Sequence, residues 1–119
     1  MNLSKSSELS ESSCEACKVD APVLTDKQTE DLITQIPSWI VHEDDGIKRL
    51  ICSFAFSNYE DSVNFTNKVA KLAEEEDHHP EIVLEWGTVT VSWWSHKING
   101  LHMNDFICAS KTDNIYKSN

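Results

Sequence analysis

The chain contains two pairs of short apolar segments, and a glycine-containing turn joins the members of each pair. The first pair flanks Asp44-Asp45-Gly46, and the second pair flanks Gly87. In residues 47–56 apolar side chains recur at every second position, which is typical of a strand with one buried face. Residues 39–42 form a further short apolar segment ahead of that strand. These patterns predict two β-hairpins.

Amphipathic helices are predicted before, between and after the hairpins. Thr25 and Gln28 have the spacing of a capping box, and so do Ser57 and Glu60 at the start of the second helix. Asn104 is expected to cap the third helix. The order α-β-β-α-β-β-α predicts an α+β domain, in which helices cover one face of a four-stranded antiparallel sheet.

Residues 1–22 are polar, serine-rich and aperiodic, which predicts a disordered tail ahead of a single domain at residues 23–119. The tail contains a lone C-x-x-C, formed by Cys14 and Cys17. A structural zinc site usually needs a second pair of ligands, so a metal or redox role is the weaker interpretation. Cys52 and Cys108 stand among apolar residues and are predicted to fill the core.

The formal net charge of −10 argues against binding to nucleic acid or to an anionic membrane surface. No apolar run reaches the length of a transmembrane helix, and the N-terminus lacks the apolar region of a signal peptide. We therefore expect a cytoplasmic protein with reduced thiols.

Three of the five histidines lie close together, as His78, His79 and His96. Histidine is the side chain whose ordinary pKa lies nearest to neutrality, so such a cluster is typical of proton transfer or of metal binding. Glu74 stands four residues before His78, and on a helix it would hold one nitrogen of that ring.

Two other interpretations of the histidines remain open at this point. Three histidines and a water molecule form a known catalytic zinc site, although the adjacent His78 and His79 would diverge on a helix. A pair of histidines before a proline can also be a polar helix end. His42 and His102 are predicted to be ordinary surface residues.

Three segments of the chain stand in a recognisable order: Ala73-Glu74-(x3)-His78-His79-Pro80-Glu81, Val89-Thr90-Val91 and His96-(x3)-Gly100-Leu101-(x3)-Asp105. Together they resemble a known family, the pterin-4a-carbinolamine dehydratases. The resemblance covers about residues 25–116 and includes Trp39, the Ile47-x-Arg49 strand and Phe65. Its bacterial branch associated with phenylalanine hydroxylase is indicated by Cys14-Glu15-Ala16-Cys17, Trp93-Trp94-Ser95-His96 and Gly100-Leu101-His102.

The resemblance implies a lyase that removes water from a 4a-hydroxytetrahydropterin and yields quinonoid dihydropterin. This reaction recycles the pterin of aromatic amino acid hydroxylases, and the pterin is the substrate. It requires an acid for the departing hydroxyl and a base for the proton on N5, with no metal and no organic cofactor. Histidines suit both roles near neutral pH.

The resemblance also implies roles for individual residues. His78, His79 and His96 are expected to form the acid–base set, with Glu74 orienting His78 and Asp105 supporting His96. The substrate-binding residues implied by the family pattern are Asp77, Trp94, Ser95, Lys97, Trp39 and Asp105.

We expect a homodimer or homotetramer, because relatives form oligomers and the exposed edges of a small open sheet can pair. The resemblance further implies a functional link to an aromatic amino acid hydroxylase. Two alternatives stay open: a dimerisation or coactivator protein, since animal relatives assist a homeodomain transcription factor, and a three-histidine metal-dependent hydrolase.

Overall fold

The structure is a computed structural model that describes residues 23–118. Its elements follow the expected order and confirm the α+β class. The predicted disorder of residues 1–22, with Cys14 and Cys17, lies outside the described residues. The elements are α1 Asp26–Ile33, β1 Ile40–Asp44, β2 Ile47–Ala55, α2 Tyr59–Glu76, β3 Glu81–Leu84, β4 Thr88–Trp93 and α3 Met103–Lys117.

The four strands form one antiparallel sheet in the order β1-β2-β4-β3, so β2 and β4 lie at its centre. On β2, Cys52 and Phe54 are buried against the helices, whereas Ser53 and Ala55 are exposed on the opposite face. This alternation is the predicted one, and the helices therefore cover one face only. The first hairpin turns at Asp45 and Gly46, where φ is 53° and 79°.

An aromatic cluster forms much of the core between the sheet and the helices. The ring centroids of Phe54, Phe56, Phe65 and Tyr116 lie 4.9–5.8 Å apart, within the range of favourable aromatic contacts. Gly87 lies in the turn of the second hairpin. A Cβ atom there would lie 3.1 Å from the carbonyl oxygen of Phe56, so this close approach of the two backbones favours glycine.

Cys52 and Cys108 are buried free thiols, as predicted. Burial raises the pKa of the Cys52 thiol to about 12, so this side chain stays protonated and unreactive near neutral pH. No helix within residues 23–118 is both long enough and apolar enough to span a bilayer.

The N-terminal caps agree with the sequence prediction in one helix and differ in the other two. The capping box of Thr25 and Gln28 is present. Helix α2 is capped by Asn58 rather than by Ser57, since the Asn58 side chain accepts the N–H of Asp61 at 2.8 Å. Both residue types are good caps, and their adjacency leaves the choice to tertiary structure.

Candidate active site

Helix α2 ends abruptly just before the two adjacent histidines. Asp77 has a left-handed conformation with φ 51°, a conformation that aspartate tolerates better than most residues. The N–H of His78 then donates to the carbonyl of Ala73 at 3.1 Å. His78 is therefore no longer on the helical face of Glu74, and the predicted contact between Glu74 and His78 is wrong.

His78 is instead held in a buried pocket, with only 6% of its surface exposed. Its Nε2 atom lies 2.7 Å from Oδ1 of Asp105, and its ring stacks on Trp93 with centroids 5.4 Å apart and planes 18° apart. The indole N–H of Trp93 donates to Thr112 on α3 at 3.1 Å. The ring of His78 is thus fixed by its edge and by its face.

Asp105 is completely buried at the start of α3, and it ties four segments together. Its Oδ1 faces His78, while its Oδ2 accepts the hydroxyl of Ser95 and the backbone N–H of His102, each at 2.9 Å. Asp105 therefore orients His78, whereas the family resemblance had implied support for His96. Ser95 is 2% exposed and acts on Asp105, whereas the family pattern had implied a place in the substrate pocket.

His79 and His96 lie at the surface beside the buried pair. His79 Nε2 lies 2.6 Å from the Glu74 carboxylate, so Glu74 pairs with His79 instead of His78. His96 Nε2 donates to the backbone carbonyl of His79 at 3.2 Å. The end of α2 and the end of β4 therefore meet at the histidines, as the sequence predicted for one edge of a two-layer domain.

One feature is common to the three rings. In His78, His79 and His96 the Nε2 atom faces an oxygen acceptor. An oxygen acceptor requires a proton on the nitrogen that it faces. The Nδ1 atom of each ring is then the nitrogen that can accept or deliver a further proton.

Acidic residues at the end of α2 have different partners. Glu76 forms an ion pair of 2.9 Å with Lys111 on α3, and this contact joins the two helices beside the site. Glu74 pairs with His79, as described above. Glu75 is exposed at the surface. The acidic run is therefore divided between a structural contact and a contact with a candidate catalytic ring.

The remaining predicted residues separate into two groups. Asp77 and Lys97 are exposed next to the histidines, and Trp94 is half-buried with its indole against His96. Trp39 is only 2% exposed and donates its indole N–H to Asp113 at 2.9 Å. Asp113 lies about 12 Å along α3 from Asp105, so Trp39 packs in the core, and its place beside the pterin pocket stays a prediction.

The role of His102 differs from the prediction of an ordinary surface residue. It caps α3, with its Nδ1 atom accepting the N–H of Asn104 at 3.3 Å. The spacing of His102 and Asp105 is that of a capping box, which the sequence contains but which usually begins with Ser or Thr. Asn104, the predicted cap, is buried in the first turn of the helix.

The described residues contain no group of three His, Cys, Asp or Glu side chains arranged to hold a metal ion. His78 faces Asp105, and His79 faces Glu74, so the rings point toward separate partners. His42 is exposed on β1, where it pairs with Arg49 of β2. The three-histidine zinc site that the spacing had left open is not assembled in residues 23–118.

Comparison with known proteins identifies the family. Residues 22–115 match the sequence model of the family described as pterin 4 alpha carbinolamine dehydratase. A provisionally named pterin-4-alpha-carbinolamine dehydratase from Photobacterium profundum is 56% identical over 107 residues, which is 90% of this chain and 96% of that protein. A similarly named protein from Marinobacter nauticus is 52% identical over 110 residues, covering 92% and 99% of the two chains.

Solved structures agree in fold. A transcriptional coactivator/pterin dehydratase from Brucella melitensis superposes with a TM-score of 0.71 at 28% identity, covering 79% of this chain and 98% of that chain. A pterin dehydratase-like protein described as a RuBisCO assembly factor gives a TM-score of 0.58 at 24% identity, covering 66% and 89%, and shows a shared fold alone. The family model and the bacterial relatives together cover most of the sequence, and this chain belongs to the pterin 4 alpha carbinolamine dehydratase family.

Proposed function

We propose that this protein dehydrates a 4a-hydroxytetrahydropterin to quinonoid dihydropterin by histidine acid–base catalysis in the cytoplasm. Family membership supports a pterin as the substrate and dehydration as the reaction. The observation that carries the catalytic assignment is the shared arrangement of His78, His79 and His96, each with Nε2 held by an oxygen and Nδ1 left for a proton. In this proposal no metal and no organic cofactor takes part.

The proposed reaction needs one proton delivered and one removed. An acid protonates the 4a-hydroxyl as its C–O bond breaks, and a base takes the proton from N5 as the C–N double bond forms. His78 and His79 each face a carboxylate, which stabilises the positive charge of a protonated ring. These two rings suit the acid role, whereas His96, held by a neutral carbonyl, suits the base role.

The hydroxyl of the substrate arises when a pterin-dependent hydroxylase transfers one oxygen atom to its amino acid. We therefore include in the proposal that the enzyme recycles the pterin of an aromatic amino acid hydroxylase, such as a phenylalanine hydroxylase. The names of the bacterial relatives support a pterin dehydratase, and the proposed link to a hydroxylase rests on the chemistry of the substrate.

Purified protein tests the proposal directly. A 4a-hydroxytetrahydropterin generated in situ loses water measurably faster with the protein than without it, and the acceleration scales with protein concentration. Dialysis against a chelator leaves this rate unchanged. An unaccelerated reaction would overturn the function, and a rate that falls on chelation and returns with zinc would overturn the metal-free mechanism.

A second candidate function is an interaction role, because the name of the Brucella melitensis neighbour includes a transcriptional coactivator. Oligomer formation, as a homodimer or homotetramer, is part of the proposal and is compatible with either function. The sheet supports it with two edge strands and with apolar residues on its uncovered side, where Ile40 is 62% and Val83 45% exposed. Light scattering at micromolar concentration tests the state, and a monomeric mass would contradict it.

A further inference from the structure

We propose that Trp94 is a positioning residue for His96 and that Arg49 holds Trp94 in turn, a role that rests on the proposed dehydration at this site. The ring of His96 lies 4.4 Å from the indole of Trp94, centroid to centroid, with the planes tilted by 36°. The guanidinium carbon of Arg49 lies 4.0 Å from the centroid of the same indole. The three side chains form a continuous set of contacts, Arg49–Trp94–His96.

The strand geometry explains why consecutive tryptophans serve different histidines. Successive side chains of a strand point to opposite faces of the sheet. Trp93, the last residue of β4, faces the helices and stacks on His78. Trp94 follows it and lies against His96, and in the antiparallel register Leu50 pairs with Trp93, which puts Arg49 opposite Trp94.

Arg49 is suited to hold an indole in place. A planar guanidinium stacks on an aromatic face, which a lysine ammonium does not do. Its terminal nitrogens lie 3.5 Å from Asp44 on β1 and 4.0 Å from Glu81 on β3, the two edge strands of the sheet. Its Nε atom is buried and has no hydrogen-bond partner among the described residues, so packing on Trp94 is a principal constraint on this group.

His96 needs such support because it is exposed and makes one hydrogen bond, to the His79 carbonyl at 3.2 Å. A single hydrogen bond leaves an imidazole free to rotate about that bond. Contact with the indole removes this freedom and fixes the direction of Nδ1. Misplacement of a reacting group by about 1 Å can cost on the order of 100-fold in rate, so we expect Trp94 to act on kcat.

The experiment compares Trp94→Leu, Trp94→Phe and Arg49→Lys with Trp86→Leu, which removes a 66% exposed indole from the turn at the other end of β4. We expect Trp94→Leu to lower kcat about 10- to 100-fold with KM changed less than about threefold. Trp94→Phe keeps an aromatic face and retains most of the rate. Arg49→Lys falls between the two, and Trp86→Leu matches the wild type.

Nuclear magnetic resonance of the histidine rings gives a readout that is independent of activity. The indole ring current shifts the ring protons of His96, so Trp94→Leu moves these resonances, whereas Trp86→Leu leaves them in place. Equal thermal midpoints of the variants exclude a general loss of folding.

The outcomes separate this proposal from the function on which it rests. A rise in KM with kcat unchanged would mean that Trp94 binds pterin directly, and an unchanged rate would mean that it does neither; both results overturn the positioning role. Unmoved His96 resonances would overturn the contact itself. A wild-type protein without dehydratase activity would overturn the proposed function, and the resonances of His96 would then still decide whether Trp94 holds the ring.

Discussion

His78 and Asp105 form a hydrogen bond of 2.7 Å between two buried side chains, at the point where the end of α2 meets the start of α3. The same carboxylate accepts Ser95 and the backbone of His102. One residue thus orients a candidate catalytic ring and also stabilises the packing of the strand end on α3. Changes at Asp105 therefore affect activity and stability together.

Asp105→Asn tests this double role. The amide has one oxygen and one NH₂ group, so its NH₂ either opposes the backbone N–H of His102, which is left unsatisfied, or faces Nε2 of His78 and forces that ring to carry its proton on Nδ1. An unsatisfied buried donor costs about 1–3 kcal/mol, and we expect the free energy of unfolding in urea to fall by that amount. The dehydration rate falls as well, because His78 loses the carboxylate that orients its ring.

Asp31→Asn is the matched control, because Asp31 is exposed and forms only a surface ion pair with Lys27. It leaves stability and rate within error of the wild type. Wild-type stability and rate in Asp105→Asn would contradict the role of Asp105 in orienting His78.

His102→Ala removes the cap of α3. Loss of a capping side chain typically costs about 1 kcal/mol, and the structure predicts a loss of that size here because Nδ1 of His102 accepts the N–H of Asn104. His102→Asn supplies an equivalent acceptor and restores most of the stability. Urea unfolding of both variants, compared with His42→Ala as the exposed control, measures the contribution of the cap to the free energy of unfolding. Equal stability of His102→Ala and His42→Ala would show that the cap contributes nothing.

Asp113 makes the stability of the protein depend on pH. Burial raises the pKa of this carboxyl above its ordinary value, and the hydrogen bond from Trp39 and the charge of Lys117 only partly oppose the rise. The folded state therefore binds this proton more tightly than the unfolded state does. The resulting stabilisation is complete below the unfolded pKa and is lost as the pH rises through the folded pKa.

Asp113→Asn removes this titration and keeps an oxygen for the indole N–H of Trp39. We expect the variant to gain stability over the wild type at pH 7 and to gain less at pH 4. Thermal midpoints measured at both pH values, with Asp31→Asn as the control, test this. A larger gain at pH 4 than at pH 7 would contradict the raised pKa.

Residue patterns predicted the fold well because each pattern depends on local geometry. The alternation of buried and exposed side chains in β2 can be recognised from neighbouring residues alone, and so can the capping box at Thr25. The prediction of Ser57 as the cap of α2 is wrong because the adjacent Asn58 is an equally good cap, and packing selects it.

The clustering of the histidines was predicted, but their partners were not. Glu74 was assigned to His78 on the assumption that the helix continues through both residues. The left-handed Asp77 ends it, in a position where glycine or asparagine would have given a clearer signal. The pairing of His78 with Asp105 joins residues 27 positions apart, and such a contact depends on how α3 packs against the strand end.

The most direct test of the central claim is the steady-state dehydration rate of His96→Ala compared with His42→Ala, with folding verified by circular dichroism. His96 belongs to the proposed acid–base set, and loss of such a group typically costs ~10²- to 10⁴-fold in rate. His42 is exposed on β1, and its loss leaves the rate unchanged. A folded His96→Ala protein that is as active as His42→Ala would contradict the assignment of catalysis to these histidines.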